Sequence, residues 1–137
     1  MSAQSSGFKE IEHTADWELE IWAPDLAQLL TQAARGMYWL MGARLQDAPR
    51  VQREIKFNGV DAESLLVSFL QELLYLFEGE GLGFDQFELS IEDGQGSARL
   101  VGAPLESVNK EIKAVTYHNL SIREGRRGLE ARLVFDV

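Results

Sequence analysis

Apolar residues recur along the chain in two rhythms, and the changes between them outline the fold. Phe8 to Glu12 reads as a short strand, and Trp17, Leu19 and Ile21 then alternate with Glu18, Glu20 and Trp22. Alternation with a period of two gives a strand with one apolar and one wetter face. Past Pro24 the rhythm changes. Leu26, Leu29, Leu30, Ala33, Met37 and Leu40 fall at helical spacing, which predicts a helix over 25–41 with Asp25 as its cap and Gly42 as its stop. Val51 to Phe57 predicts a strand, and Asn58-Gly59 a turn. A second helix, Ala62 to Phe77, follows Asp61. Its apolar positions, among them Leu66, Phe69, Leu70 and Leu73, cover a wide arc, so burial between the sheet and the first helix is expected. Glu78 to Gly83 reads as a glycine-rich loop.

Strands then follow one another. Phe87, Leu89 and Ile91 alternate, Asp93-Gly94 turns the chain, and Ser97 to Val101 returns it. Ala114 to Ile122 is the next expected strand. Gly125 to Gly128 makes a short turn with Arg126 and Arg127 at its tip, and Leu129, Ala131, Leu133, Phe135 and Val137 alternate after it. This order predicts an α+β fold, with two helices packed on one face of a largely antiparallel β-sheet. The 137 residues suit a single domain over 8–137, with residues 1–7 as a flexible lead-in.

Composition narrows the chemistry. Thirteen Lys and Arg face 22 Asp and Glu, a net charge of −9. Such an excess of acid argues against a nucleic-acid coat, because phosphate binding needs a cationic face, but it leaves room for a local basic patch. The absence of cysteine removes disulfides, thiolate zinc sites and thiol catalysis, and suits a reducing compartment such as the cytoplasm. No run approaches the roughly 18 apolar residues of a membrane span, and the small polar N-terminus is no signal peptide. There is no nucleophile elbow, phosphate-binding loop, H-E-x-x-H pair or EF-hand loop.

Two carboxylates stand out on strand phase. Asp16 is in phase with Glu18 and Glu20, and Asp136 with Glu130 and Arg132. Asp136 is also penultimate, so the terminal carboxylate of Val137 follows it directly. If the two strands are neighbours, three anionic groups converge, and a hard divalent cation would relieve their repulsion. The plainer alternative is a set of unrelated solvated acids. His13 and His118, the only histidines, suit a general acid or metal ligand, or else structural hydrogen bonding. Lys113 could meet phosphate or balance charge, or be simply solvated. Trp22, Trp39 and Tyr38 read as packing rather than base stacking.

Glu12-His13-Thr14-Ala15-Asp16, Ala33-Ala34-Arg35-Gly36-Met37, Glu72 to Phe77, the run Lys113 to Leu120 and the terminal Phe135-Asp136-Val137 together resemble the archease family, in order and over Phe8 to Val137. The resemblance implies a non-catalytic protein cofactor that activates an RtcB-type RNA ligase, promoting its guanylylation and multiple turnover in tRNA splicing or RNA repair. It implies a metal site of Asp16, Asp136 and Val137, with Ca²⁺ expected first and Mg²⁺ or Mn²⁺ as alternatives. His13, Lys113 and His118 become candidates for pocket or partner contacts. The ligase is the expected partner, with no stable nucleic-acid binding and no membrane. A chaperone-like modulator of RNA- or protein-modifying enzymes, or a small metal-dependent hydrolase, is the competing function. Trp17-Glu18 departs from the small aliphatic and glycine common after the motif, and Phe135 from a smaller aliphatic; neither removes a ligand.

Overall fold

The computed structural model describes residues 5–12 and 17–137. In chain order the elements are β1 (Gly7–Ile11), β2 (Trp17–Ala23), α1 (Leu26–Met41), β3 (Arg44–Leu45), β4 (Val51–Asn58), α2 (Ala62–Glu80), β5 (Leu82–Glu92), β6 (Gln95–Ser107), β7 (Ala114–Thr116), β8 (Arg123–Gly125) and β9 (Gly128–Asp136). All strand pairs are antiparallel. The α+β class expected from the sequence holds.

Pairing divides the strands between two sheets, a division that alternation alone does not specify. The first has the order β1-β2-β9-β7, with β8 also paired to β9. The second is built on β6, which pairs with β3, β4 and β5. The helices join the two sheets. Helix α1 lies chiefly on β2 and also meets β1, β5 and β9, whereas α2 lies chiefly on β4 and also meets β5, β6 and β7. One continuous core results. It contains Leu19 and Ile21 of β2, Leu133 and Phe135 of β9, Leu30 and Met37 of α1, Phe69 and Leu73 of α2, and Leu100 of β6.

Both helix starts follow from local chemistry. The Asp25 carboxylate accepts from the Gln28 backbone N–H at 2.8 Å. Asp61 accepts from Ser64 N–H at 2.8 Å while the Ser64 hydroxyl accepts from Asp61 N–H at 3.1 Å, a reciprocal cap. The Ser64 backbone N–H, and after it the Ser64 side chain, favour the charged form and hold the Asp61 carboxyl below its usual range.

The second helix does not stop at Phe77. It runs through Gly79 to Glu80, and Gly81 caps it at φ 68°, a left-handed conformation that glycine adopts without steric cost. The expected loop over 78–83 is therefore helix, cap and the start of β5. The expected strand over 114–122 also shortens, to Ala114–Thr116. The Thr116 hydroxyl donates to the Val134 carbonyl at 3.1 Å and accepts from His118 N–H at 3.2 Å, and Asn119 sits at φ 54°. Local side-chain bonds of this kind favour a turn over a continued ladder.

Candidate functional site

Strand β9 runs between β2 and β7, and its C-terminal end carries Asp136, with Val137 after it and Lys113 beside it. Trp17 at the start of β2 pairs with Phe135, and Ala114 at the start of β7 pairs with Asp136. The backbone N–H of Lys113 donates to the Asp136 carbonyl at 2.8 Å. This bond fixes the backbone of Asp136 and leaves its side chain exposed, while Val137 packs partly against the core. Among the described residues no cation pairs with the Asp136 carboxylate. An exposed carboxylate without a cation partner among the described residues is an oxygen donor of the type that hard cations take.

Asp16 and His13 lie outside the described residues. Asp16 directly precedes Trp17 in the sequence, and Trp17 is the residue that pairs beside Asp136. Among the described residues no three His, Asp or Glu side chains come together as a metal-binding group. The chain is thus seen to bring Asp136, Val137 and the backbone of Lys113 together at one strand end.

His118 is placed elsewhere. Strand β7 runs antiparallel to β9, so Thr116 stands opposite Val134 and the chain leaves Asp136 behind as it approaches His118. The histidine is exposed on a turn, its Nε2 3.3 Å from Asn119 Nδ2. Farther along, the Glu63 carboxylate of α2 accepts from Ile122 N–H at 2.8 Å and ties the segment after the turn to the helix start.

The outer face of the first sheet carries a charge lattice that single-strand patterns do not show. Glu20 is opposite Arg132 and Trp22 opposite Glu130 across β2 and β9. Glu18, only 9% exposed on the side expected to be wetter, lies 3.7 Å from Arg132. Arg127 reaches Glu20 at 3.3 Å and Glu130 at 3.4 Å, and its guanidinium lies 4.1 Å from the centre of the Trp22 ring. The Arg127 guanidinium and backbone N–H hold the Glu130 carboxyl below its ordinary range. Trp22 therefore packs, as expected, but as a platform for an arginine. The only available sequence signal was the opposite charge at matching phases of β2 and β9.

With the geometry fixed, comparison with known proteins decides the family. A model of the archease protein family (MTH1598/TM1083) matches residues 8–137. The chain belongs to the archease family. A protein archease of Methanosarcina acetivorans is 32% identical over 149 residues, covering 100% of both chains. One of Methanopyrus kandleri is 34% identical over 140 residues, covering 95% of this chain and 99% of its own. The solution structure of Methanobacterium thermoautotrophicum protein 1598 superposes with a TM-score of 0.72 at 27% identity, covering 96% of this chain and 99% of that one. An archease of Thermotoga maritima, described as a possible chaperone, shares the fold with a TM-score of 0.70 at 23% identity, over 94% of this chain and 96% of that one. Among the described residues no helix is long and apolar enough to cross a membrane.

Proposed function

We propose that this archease is a non-catalytic activator of an RtcB-type RNA ligase in the cytoplasm, promoting guanylylation and multiple turnover in tRNA splicing or RNA repair. A divalent cation, Ca²⁺ before Mg²⁺ or Mn²⁺, would be held by Asp16, Asp136 and the terminal carboxylate of Val137. The observation that carries this reading is the exposed Asp136 at the end of β9, without a cation partner among the described residues and in register beside the start of β2, in a chain matched by the family from residue 8 onward. A hard cation bound there would supply positive charge where phosphate charge must be neutralised during guanylylation. The net charge of −9 favours encounter with a basic RNA-handling enzyme.

A hydrolase reading would need His13 as its base, and His13 lies outside the described residues; His118, on the turn after β7 and away from Asp136, supplies no base there. The description of the Thermotoga protein as a possible chaperone favours a modulator without a metal role as the second reading. A multiple-turnover ligation assay with limiting, active cognate ligase tests the proposal. The protein is expected to raise the turnover rate, to produce no ligation alone, and to lose its effect on chelation. Equal rates with and without it would defeat the activator reading. Stimulation indifferent to chelator would favour the modulator.

A further inference from the structure

The turn between β8 and β9 has a chemistry that the ligase reading does not use. Residues 117–132 hold four arginines and two glutamates, a local +2 in a chain of −9. Arg127 is consumed internally, clamped by Glu20 and Glu130 and stacked on Trp22. Arg123 and Arg126, both exposed, pair with no carboxylate among the described residues.

Arg123 stands opposite Glu130, which places it diagonally across from Arg132, at about 7–8 Å by strand geometry. Between them opens a recess of about 290 Å³, lined also by Asn119 and Ser121, which offer neutral hydrogen-bond donors. Of the three acids that line it, Glu20 and Glu130 are already engaged by Arg127, which leaves the exposed Glu124 as the one acid there without a cation partner among the described residues.

We propose that Arg123, Arg126 and Arg132, with Asn119 and Ser121, form a contact for the phosphodiester backbone of a single-stranded nucleic acid. Arginines set apart along two strands grip phosphates spaced along an extended chain, rather than one anion at a point. A lipid surface fits less well. The exposed large apolar residues of the described chain are Trp39, Val60, Tyr75 and Tyr117, and none lies on the hairpin to enter a bilayer. With few phosphates neutralised inside an acidic molecule, the contact is weak and salt-sensitive, in keeping with no stable nucleic-acid complex at physiological salt.

The inference is independent of the ligase, so the probe is RNA alone. Isotope-labelled protein is titrated with a short oligouridylate at about 50 mM salt and again at about 200 mM. Amide shifts are expected over 119–132 at low salt and should largely vanish at the higher. The exposed double variant Arg123→Glu/Arg126→Glu, its spectrum otherwise unchanged, should bind at least about tenfold more weakly. Absent shifts, shifts confined to other surfaces, or wild-type binding by that variant would overturn the proposal. So would identical shifts from inorganic phosphate at matched phosphate concentration, which would mark a free-anion site instead of a chain contact.

Discussion

Asp136→Asn is expected to remove Ca²⁺ affinity and ligase stimulation together while leaving the fold intact. The substitution keeps the shape of the side chain and takes away its charge. The backbone bond from Lys113 N–H to the Asp136 carbonyl survives, and no ion pair among the described residues is broken. Stability should therefore change by no more than about 0.5 kcal/mol, the scale of ordinary surface substitutions. The metal effect should be far larger. Loss of residues that merely support metal ligands typically costs about 10–100-fold in affinity, so loss of a direct anionic ligand should cost at least that. Calorimetric titration of both forms with Ca²⁺ gives the answer. Unchanged affinity would remove Asp136 from the site. Lost affinity with full stimulation would keep the partnership and discard the metal mechanism.

Phe69→Ala should be the most damaging single core truncation, at about 3–5 kcal/mol. Phe69 is fully buried on α2, and its ring meets that of Phe57 on β4 at 5.1 Å between centroids, tilted by 46°. Truncation loses the transfer energy of the ring and that aromatic contact, and opens a cavity where the helix joins the second sheet. A domain of this size has a total stability on the order of 5–15 kcal/mol, so the loss is a large share of it. Urea unfolding should show a much lower midpoint at unchanged slope. A loss below about 1 kcal/mol would mean that the surrounding side chains close the gap.

Helix starts were legible because capping is local. Asp25 and Asp61 each satisfy a backbone donor three residues on, and the sequence contains both partners. The phases of β2 and β9 were equally legible, since period two fixes which residues share a face. What alternation lacks is the identity of a strand's neighbour. Nothing in the Val51–Asn58 pattern says that it pairs with β6, so the division into two sheets became visible only in the structure. The glycines around α2 misled in a different way. Gly79 costs little near an exposed helix end, and the sequence does not say which of three glycines adopts the left-handed cap. At the candidate site, the pairing of Asp136 with the start of β7 and the remoteness of His118 depend on the turn built by Thr116 and Asn119. Side-chain hydrogen bonds of Thr116, rather than periodicity, make that turn.

Two tryptophans lie beneath cations at opposite ends of the same strand. Lys110 is 5.3 Å from the centre of the Trp17 ring, and Arg127 is 4.1 Å from that of Trp22. Indole emission responds to nearby charge, so the molecule carries two built-in optical probes. Trp17 senses the strand end that holds Asp136, and Trp22 senses the arginine hairpin. Trp39, 57% exposed on α1, adds a solvent-like background that a Trp39→Phe change would remove. Ion arrival at one end and polyanion arrival at the other should therefore be separable by their fluorescence in unlabelled protein, each followed by keeping one of the two remaining indoles.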